Sequence, residues 1–558
     1  MMQTRTGQTS AAAQKIAGYL AGGLLLSYIW HRNFNLLGDF YDYSILTSAC
    51  GQLHEGLKPY RDFSTPLQSL TIYLGYASEL VFGRRYLALA YGNLLLGLTF
   101  YALSLRLLKG RLPLLLSILV AAALGLATFF QHGIIWYNSV AMMLLALIVW
   151  CCAILYRSPR LRWRDVAALC FLLFLSSMCK INFHLLGLGF ACVIPLLRVF
   201  RIDGAERKKF FWVLPTIILS AVAPGPLLEI LINGTTPRIF LDNVFSASAG
   251  RLETLSGFLN SDLYLGKFAD YYPDNWSYDV YLVAILTYAG CACLAFRKPA
   301  GSDRGRNETR TRTALKWFAP FLLAGFLLGS MLLTLTNTEI QMLTASFGIA
   351  GLVAVFLMFT PDMSAAQSLG FKYGILLLSA YFFIFGGITA FLHSRVRFWE
   401  YTWTDNMTQP GERPIDPSAP RRALPISAAA SISPQLAFGY FQGVRFTGLA
   451  RSRMEKVAAF VGKNNPETRR IYWGPGLQIL NRVYGDRPVG RFPLWYHFNV
   501  TVSDKDSDRI IAELQRDDYE WIVAVGEWFQ EMPAEVRAYI AHHYDQIGDD
   551  DLEIYHRK

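Results

Sequence analysis

The run Leu112-Pro-Leu-Leu-Leu-Ser-Ile-Leu-Val-Ala-Ala-Ala-Leu-Gly-Leu-Ala-Thr-Phe-Phe130 contains no charged residue. As a helix that rises 1.5 Å per residue, it extends about 28 Å, which matches the roughly 30 Å hydrocarbon core of a bilayer. It therefore predicts a helix that crosses a membrane. With similar runs elsewhere, the sequence predicts an α-helical polytopic membrane protein with about eleven spanning helices. The other runs lie near residues 15–32, 86–107, 139–156, 166–179, 184–199, 211–232, 278–296, 317–336, 340–360 and 372–392.

The composition favours the same class of protein. Of the 558 residues, 53% are hydrophobic and 17% are charged, so the bilayer must be the solvent for much of the chain. The net charge of +11 does not predict a nucleic-acid partner, because Lys and Arg fall mostly in short loops that set membrane topology. The eight cysteines stand mostly in apolar runs and predict no disulfide framework. The first apolar run lacks a clear cleavage site and is expected to remain as a span.

The apolar run at 66–83 decides the predicted topology. If this run crossed the membrane, alternation would place the basic loop Arg157–Arg164 outside, against the positive-inside rule. As an interfacial helix on the outer surface, it instead leaves all the basic loops on the cytoplasmic side. The sequence therefore predicts a cytoplasmic N-terminus and three outer parts, namely a first loop at 33–85, a second loop at 233–277 and everything after residue 393.

The chain changes character after the membrane region, which is predicted to cover residues 1–392. Residues 393–430 contain Arg413-Pro-Ile-Asp-Pro-Ser-Ala-Pro420, which predicts an extended linker. Residues 431–558 alternate short apolar runs with amphipathic ones, which predicts a small external α/β domain that covers the acceptor groove. The predicted elements are strands at 471–473, 521–525 and 552–555 and helices through 510–514 and 533–544.

The first outer loop carries the candidate chemistry. Two carboxylates, Asp39 and Asp42, stand in Gly38-Asp-Phe-Tyr-Asp-Tyr-Ser44, just beyond the predicted end of the first span. A general base held there can deprotonate an acceptor hydroxyl while cationic side chains hold a departing phosphate. Acidic and basic residues near a helix end also serve as solvated caps or interface anchors, and the residues alone leave both interpretations open.

An acidic residue, an aromatic-rich helix, the element Gly56-Leu-Lys-Pro-Tyr-Arg-Asp-Phe63 and a Pro-started apolar helix follow one another here. This order resembles the first external loop of the GT-C superfamily of integral-membrane glycosyltransferases. The loop is most similar to the bacterial glycosyltransferase family 39 branch, which is related to protein O-mannosyltransferases and lipid A aminoarabinose transferases. The resemblance covers residues 1–392 and implies a polytopic enzyme of the bacterial cytoplasmic (inner) membrane.

The resemblance also implies a reaction. It implies inverting transfer of a sugar from a polyprenyl phosphate at the outer membrane surface, with Asp42 as general base and Asp39 as the alternative. The implied partners are the polyprenyl-phosphate-linked sugar, membrane lipids and an acceptor. Which sugar moves stays open, as does whether the acceptor is a glycolipid, a cell-surface polysaccharide or a protein.

Several cations are candidates for binding the donor phosphate. Lys58 and Arg61 lie in the motif, with Asp62 beside them, and Lys180 closes the fifth predicted span. Relatives often carry a lysine at that place, so Lys180 is assigned to the phosphate, with simple snorkelling to the interface as the alternative. Arg395 follows the last predicted span, where it reaches the lipid phosphate or anchors the helix.

Three other residues near predicted outer ends complete the candidate site. Asn138 stands where many relatives carry a second acidic residue, and an amide binds a sugar hydroxyl but holds a divalent metal poorly. Metal dependence is therefore not favoured, and no cofactor is predicted. His132 is either a binding residue or an interfacial one. Glu229 lies about one turn inside the seventh span, which is costly unless the carboxylate faces a cavity or a cation.

Two other classes of protein stay open. A transporter or flippase for lipid-linked sugars is expected to show internal repeats and interrupted helices, and the sequence shows no convincing repeat. A non-catalytic GT-C relative that acts in envelope assembly is compatible with the missing second acidic residue.

Overall fold

The computed structural model consists of a helical body followed by a mixed α/β domain. The residues that it describes are 16–28, 30, 36–37, 41–129, 133–158, 160–199, 205–244, 277–296, 306–335, 340–384, 439–446, 448–464, 470–484, 492–496, 498, 501–548 and 552–558.

Each apolar run that was predicted to span contains a helix in its described part. In chain order, the body consists of α1 (Ile16–Tyr28), β1 (Leu36–Leu37), α2 (Tyr41–His54), α3 (Ser69–Phe82), α4 (Tyr86–Leu108), α5 (Leu114–Phe129), α6 (Tyr137–Arg157), α7 (Trp163–Ser177), α8 (Ile181–Val199), α9 (Ala205–Val222), α10 (Pro224–Asn233), α11 (237–244), α12 (Ser277–Phe296), α13 (Arg306–Leu335), α14 (Ile340–Phe359) and α15 (Ala365–Phe382).

Four of the described helical segments are long and apolar enough to cross a bilayer, and several other apolar helices are shorter. The four are Tyr86–Leu108, Tyr137–Arg157, Ile181–Arg198 and Pro215–Asn233. Large apolar side chains on the outer surface, such as Leu115 at 81% and Leu219 at 69% exposure, suit contact with lipid rather than water. The chain is therefore a helical integral membrane protein, while the total of about eleven spans stays a prediction.

Helix α6 lies at the centre of the helical body. It packs against α8 and α14, and the indole nitrogen of Trp150 donates a hydrogen bond of 2.9 Å to the carbonyl oxygen of Ala350. Phe190 of α8 stacks on Phe326 of α13, with ring centroids 4.4 Å apart. These contacts join neighbouring helices at the centre of the helical body.

The seventh predicted run is divided into two helices. Helix α9 ends at Val222, and α10 begins at Pro224 after a bend at Ala223. Pro224 and Pro226 have no amide hydrogen to donate to the preceding turn, which accounts for the bend at this point. The two helices together still cover the predicted run at 211–232, and the segment Pro215–Asn233 is long and apolar enough to cross a bilayer.

The first loop contains the helices α2 and α3, which pack against each other. Helix α3 has 14 residues and is about 21 Å long, well short of the roughly 30 Å hydrocarbon core, as expected of an interfacial helix. The two helices approach closely at Gly75, where an added Cβ would lie 2.8 Å from the Cys50 sulfur. Glycine is therefore required for this close approach.

The tail forms a four-stranded sheet with the order β3-β4-β6-β5. Strands β3 and β4 are parallel, whereas β6 pairs antiparallel with β4 and with β5. The elements are β2 (Arg445–Phe446), α16 (Gly448–Asn464), β3 (Ile471–Trp473), α17 (Asn481–Tyr484), α18 (Ser507–Asp517), β4 (Trp521–Val525), α19 (Gly526–Phe529), α20 (Ala534–His543), β5 (Tyr544–Gln546) and β6 (Leu552–Arg557).

All the tail elements predicted from the sequence are present, and β5 is an additional strand. The sequence predicts that the helix beginning at residue 533 reaches Tyr544, but α20 ends at His543, and Tyr544 is the first residue of β5. Tyr544 pairs with Arg557 of β6, so the partner strand determines its conformation rather than local propensity.

Candidate functional site

The motif of the first loop forms a tight turn around Tyr60. The Tyr60 amide donates to the Phe63 carbonyl oxygen at 2.9 Å, and the Asp62 amide donates to the Lys58 carbonyl oxygen at 3.0 Å. Tyr60 adopts a left-handed conformation with φ of +66°, which is uncommon for a residue with a large side chain. Its buried ring packs edge-on against Phe240 of α11 at a centroid distance of 5.5 Å. The turn is thus held against the second loop.

Arg61 and Asp62 form a bidentate ion pair at the tip of this turn. The Arg61 Nε and Nη2 atoms lie 2.9 and 2.6 Å from the two Asp62 carboxylate oxygens. One of these oxygens also accepts the Lys58 amide at 2.8 Å. The Arg61 side chain is 45% exposed, so Asp62 fixes its direction while leaving much of the guanidinium surface accessible.

Lys180 is held at the junction of α7 and α8. Its ammonium group donates a hydrogen bond to the side-chain oxygen of Asn138, which is buried at the start of α6. The same nitrogen lies 4.3 Å from the Tyr137 ring centroid and 5.4 Å from that of Phe183. The Asn138 amide and the two aromatic faces orient the ammonium group.

Glu229 is fully buried where α10 meets the first turn of α3. Its Oε1 atom accepts the backbone amide of Ser69 at 2.9 Å. Asn233 donates to the Ser69 hydroxyl at 2.8 Å and accepts from the Tyr73 hydroxyl at 3.0 Å. The first amides of a helix lack intrahelical partners and carry a partial positive charge, which stabilises an adjacent carboxylate. The start of α3 therefore gives one oxygen of Glu229 a hydrogen-bond partner, and a substrate-binding role stays a prediction.

These groups are joined through the N-terminal end of α3. The Leu70 amide donates to the Met178 carbonyl oxygen at 2.9 Å, and the Thr71 hydroxyl lies 3.7 Å from the Cys179 sulfur, next to Lys180. On the other side, Arg61 approaches Gly234, which directly follows α10 and adopts a φ of +60°. The motif turn, the Lys180 region and Glu229 thus belong to one contiguous part of the molecule.

Four of the predicted site residues cannot be assigned side-chain contacts. Asp42 is the second residue of α2, but its side chain lies outside the described part of the structure. Asp39, His132 and Arg395 also lie outside the described residues. Their roles stay predictions. Among the residues that the structure does describe, no three His, Cys, Asp or Glu side chains are grouped as metal ligands.

A buried charged cluster near the far end of α3 was not predicted. The Glu79 carboxylate lies 2.9 Å from His54 Nε2 and 2.8 Å from Arg482 Nη2, and it accepts from the Tyr440 hydroxyl at 3.2 Å. Burial raises the pKa of Glu79 and lowers the pKa of His54 to about 4. The available sequence signal was a single carboxylate inside the apolar run 66–83, which requires a buried partner.

We expect the His54 imidazole to make stability depend on pH. Because the pKa of His54 is about 4 in the folded protein and 6.5 for an unperturbed histidine, the unfolded chain takes up a proton first as the pH falls. Its contribution is therefore lost from about pH 6.5 down to pH 4. Glu79 has the opposite sign, because its raised pKa favours the folded state at low pH. Melting temperatures across this range should fall less steeply for His54→Gln than for the wild type, and parallel curves would contradict this.

The comparisons with known proteins find similar chains among solved structures. No family model matches the chain, and no curated protein matches it. Among solved structures, the crystal structure of ArnT from Cupriavidus metallidurans in the apo state is similar over 98% of this chain and 98% of its own. The sequence identity is 12% and the TM-score is 0.37, values too low to support a conclusion about function.

Proposed function

We propose that this protein is an inverting glycosyltransferase of the GT-C type, which moves a sugar from a polyprenyl phosphate to an acceptor on the outer face of a bacterial cytoplasmic membrane. The observation that supports it best is the connection of two oriented cations to the motif loop. Arg61 is directed by Asp62, Lys180 is directed by Asn138, and the start of α3 links both neighbourhoods. Such an arrangement suits a departing lipid phosphate.

In the proposed reaction, Asp42 removes the proton from an acceptor hydroxyl. The oxygen attacks the anomeric carbon from the face opposite the phosphate, the bond from that carbon to the phosphate oxygen breaks, and the configuration inverts. The lipid phosphate leaves with the bonding electron pair, and Lys180 and Arg61 stabilise its charge. Asp39 is the alternative base. A lipid-linked donor is suited to this side of the membrane, because nucleotide sugars are made in the cytoplasm.

The remaining candidates receive supporting roles in this proposal. Asn138 and Asp62 orient the two cations, while Lys58 contributes a further positive charge beside the motif turn. Glu229 organises the first turn of α3 from beneath. His132 and Arg395 are proposed to contact the substrate from the ends of their predicted spans. No divalent metal or other cofactor is proposed.

The test of the proposed function is direct. Purified protein, incubated with polyprenyl-phosphate sugars and candidate acceptors, should release free polyprenyl phosphate in proportion to glycosylated product. A flippase would instead move the lipid-linked sugar between the leaflets of a reconstituted vesicle without releasing the lipid phosphate. That second result, with no product from any donor, would contradict the proposal.

A further inference from the structure

The tail domain contacts the segment that leads into α2. Strand β1 pairs in parallel with β2 of the tail, with Leu36 opposite Arg445 and Leu37 opposite Phe446. Strand β1 ends two residues before Asp39 and five before Asp42. The backbone that enters the proposed catalytic segment is therefore held by a strand from the other end of the chain.

A second contact lies in the first turn of α2. The hydroxyl oxygen of Ser44 accepts the backbone amide of Ile479 at 3.3 Å, and both residues are fully buried. Ser44 is two positions after Asp42. A buried amide that loses its acceptor is costly, so this contact opposes sliding or rotation of α2 against the tail.

The third contact crosses the last turn of α2. An added Cβ at Gly51 would lie 2.6 Å from the Arg482 Cδ, so the arginine passes directly over this glycine. Its guanidinium then reaches Glu79 of α3 at 2.8 Å and lies 5.0 Å from the Tyr440 ring centroid. The Glu79 side chain is 0% exposed and that of Arg482 is 11% exposed. Removing either charge would deprive the other buried group of its nearest opposite charge.

The fourth contact is made by the motif loop itself. The Ser64 carbonyl oxygen accepts the Leu494 amide at 3.1 Å, and Ser64 forms an isolated β-bridge with Pro493. Ser64 directly follows the Asp62-Phe63 end of the motif. The tail thus contacts both the helix that carries Asp42 and the turn that carries Arg61.

We propose that the tail domain is a scaffold for the first loop, and that Arg482 is its principal positioning residue. The ion pair between Arg482 and Glu79 joins α2, α3 and the tail, so that Asp42 and Arg61 keep a fixed separation. The catalytic consequence rests on the proposed function, whereas the docking of the tail does not. Misplacement of a catalytic group by about 1 Å can lower the rate roughly 100-fold. Removal of the contact between Arg482 and Glu79 should therefore lower kcat strongly.

The test compares Arg482→Met with Arg516→Met in the full chain. The Arg516 side chain is 55% exposed, and its ion pairs with Glu513 and Asp517 are local contacts within α18 of the same domain. Local pairs made by an exposed side chain contribute little. We expect Arg482→Met to lower kcat about 100-fold with little change in KM for the lipid donor, and to accelerate amide hydrogen exchange across α2. Arg516→Met should leave both unchanged.

A disulfide supplies the rescue experiment. Ser64→Cys and Pro493→Cys place two thiols at a β-bridge, where the backbone spacing is compatible with an S–S bond. In the Arg482→Met background, oxidation of this pair should restore most of the lost kcat, and reduction should remove it again. Unchanged kcat and exchange in Arg482→Met, or loss of kcat without faster exchange in α2, would overturn the positioning role.

One further variant and one further measurement keep the test decisive. If Arg482→Met does not fold, Gly51→Ala displaces Arg482 without removing a charge and favours the helical conformation of α2, so its effects on kcat and exchange answer the same question. If the wild type transfers no sugar from any donor, the proposed function fails. In that case, amide hydrogen exchange across α2 tests the scaffold role of the tail domain by itself. Faster exchange in Arg482→Met supports this role, and unchanged exchange refutes it.

Discussion

Replacing Asp42 with asparagine is expected to lower the kcat of sugar transfer about 1000-fold, because an amide cannot accept the proton of the acceptor hydroxyl. A loss of this size corresponds to about 4 kcal/mol of transition-state stabilisation. Asp42 is the second residue of α2, and the loss of a negative charge from the first turn of a helix in general weakens its interaction with the helix dipole. That interaction contributes only about 0.3–1 kcal/mol, so the catalytic effect is expected to dominate.

The measurement is single-turnover release of polyprenyl phosphate by detergent-purified variants with matched melting temperatures. Asp242→Asn is the control, because this residue lies on the exposed surface of α11 and pairs only loosely with Arg238. Normal activity in Asp42→Asn together with an inactive Asp39→Asn would assign the base to Asp39. Activity in both single variants and in the double variant would refute a carboxylate base in this loop.

Replacing Lys180 with methionine is expected to lower kcat about 100-fold, because one charge that stabilises the departing phosphate disappears. Methionine keeps much of the aliphatic stem that packs near Tyr137 and Phe183, so the loss should be largely electrostatic. Lys180→Arg should retain more activity than Lys180→Met, since it keeps the charge but changes the geometry of its donors. Equal activity in Lys180→Met and the wild type would reduce Lys180 to an interface anchor.

Asn138→Asp provides a matched test of the same idea. A carboxylate at this position would pair with the Lys180 ammonium group and offset its charge, without removing either side chain. We expect weaker binding of the lipid donor, measured as a higher KM, and a lower kcat. An unchanged KM in this variant would argue that the charge of Lys180 does not act on the donor.

The fold was largely predictable from local patterns. Apolar runs located the helices of the membrane region, whereas the prediction that the run at 66–83 does not span rests on the charge of the loops and stays a prediction. Alternating patterns located β3, β4 and β6 in the tail. Strand β5 was missed, because nothing in the three residues from Tyr544 to Gln546 distinguishes them from a helix end, and their pairing with β6 is not visible in the local sequence.

The arrangement of the candidate site was predictable only in part. The residue types of the motif identified Arg61, Asp62 and Lys180 as candidates, but not that Asp62 and Asn138 hold the two cations. The role of Glu229 was not predictable, because it depends on the packing of α10 against the first turn of α3. The Glu79 cluster combines residues more than 350 positions apart, and a single sequence contains no information about such a pairing.

The pairing of β1 with β2 also bears on how the protein is made. Leu36 leaves the ribosome early, but its partner Arg445 follows roughly 400 residues later. At a synthesis rate of about 5–20 residues per second, the nascent first loop waits roughly 20–80 s for its partner strand. Until then the backbone edge of this strand is free to pair with incorrect partners. A ribosome that stalls before the tail therefore leaves a membrane-inserted helical bundle whose first loop lacks its partner strand.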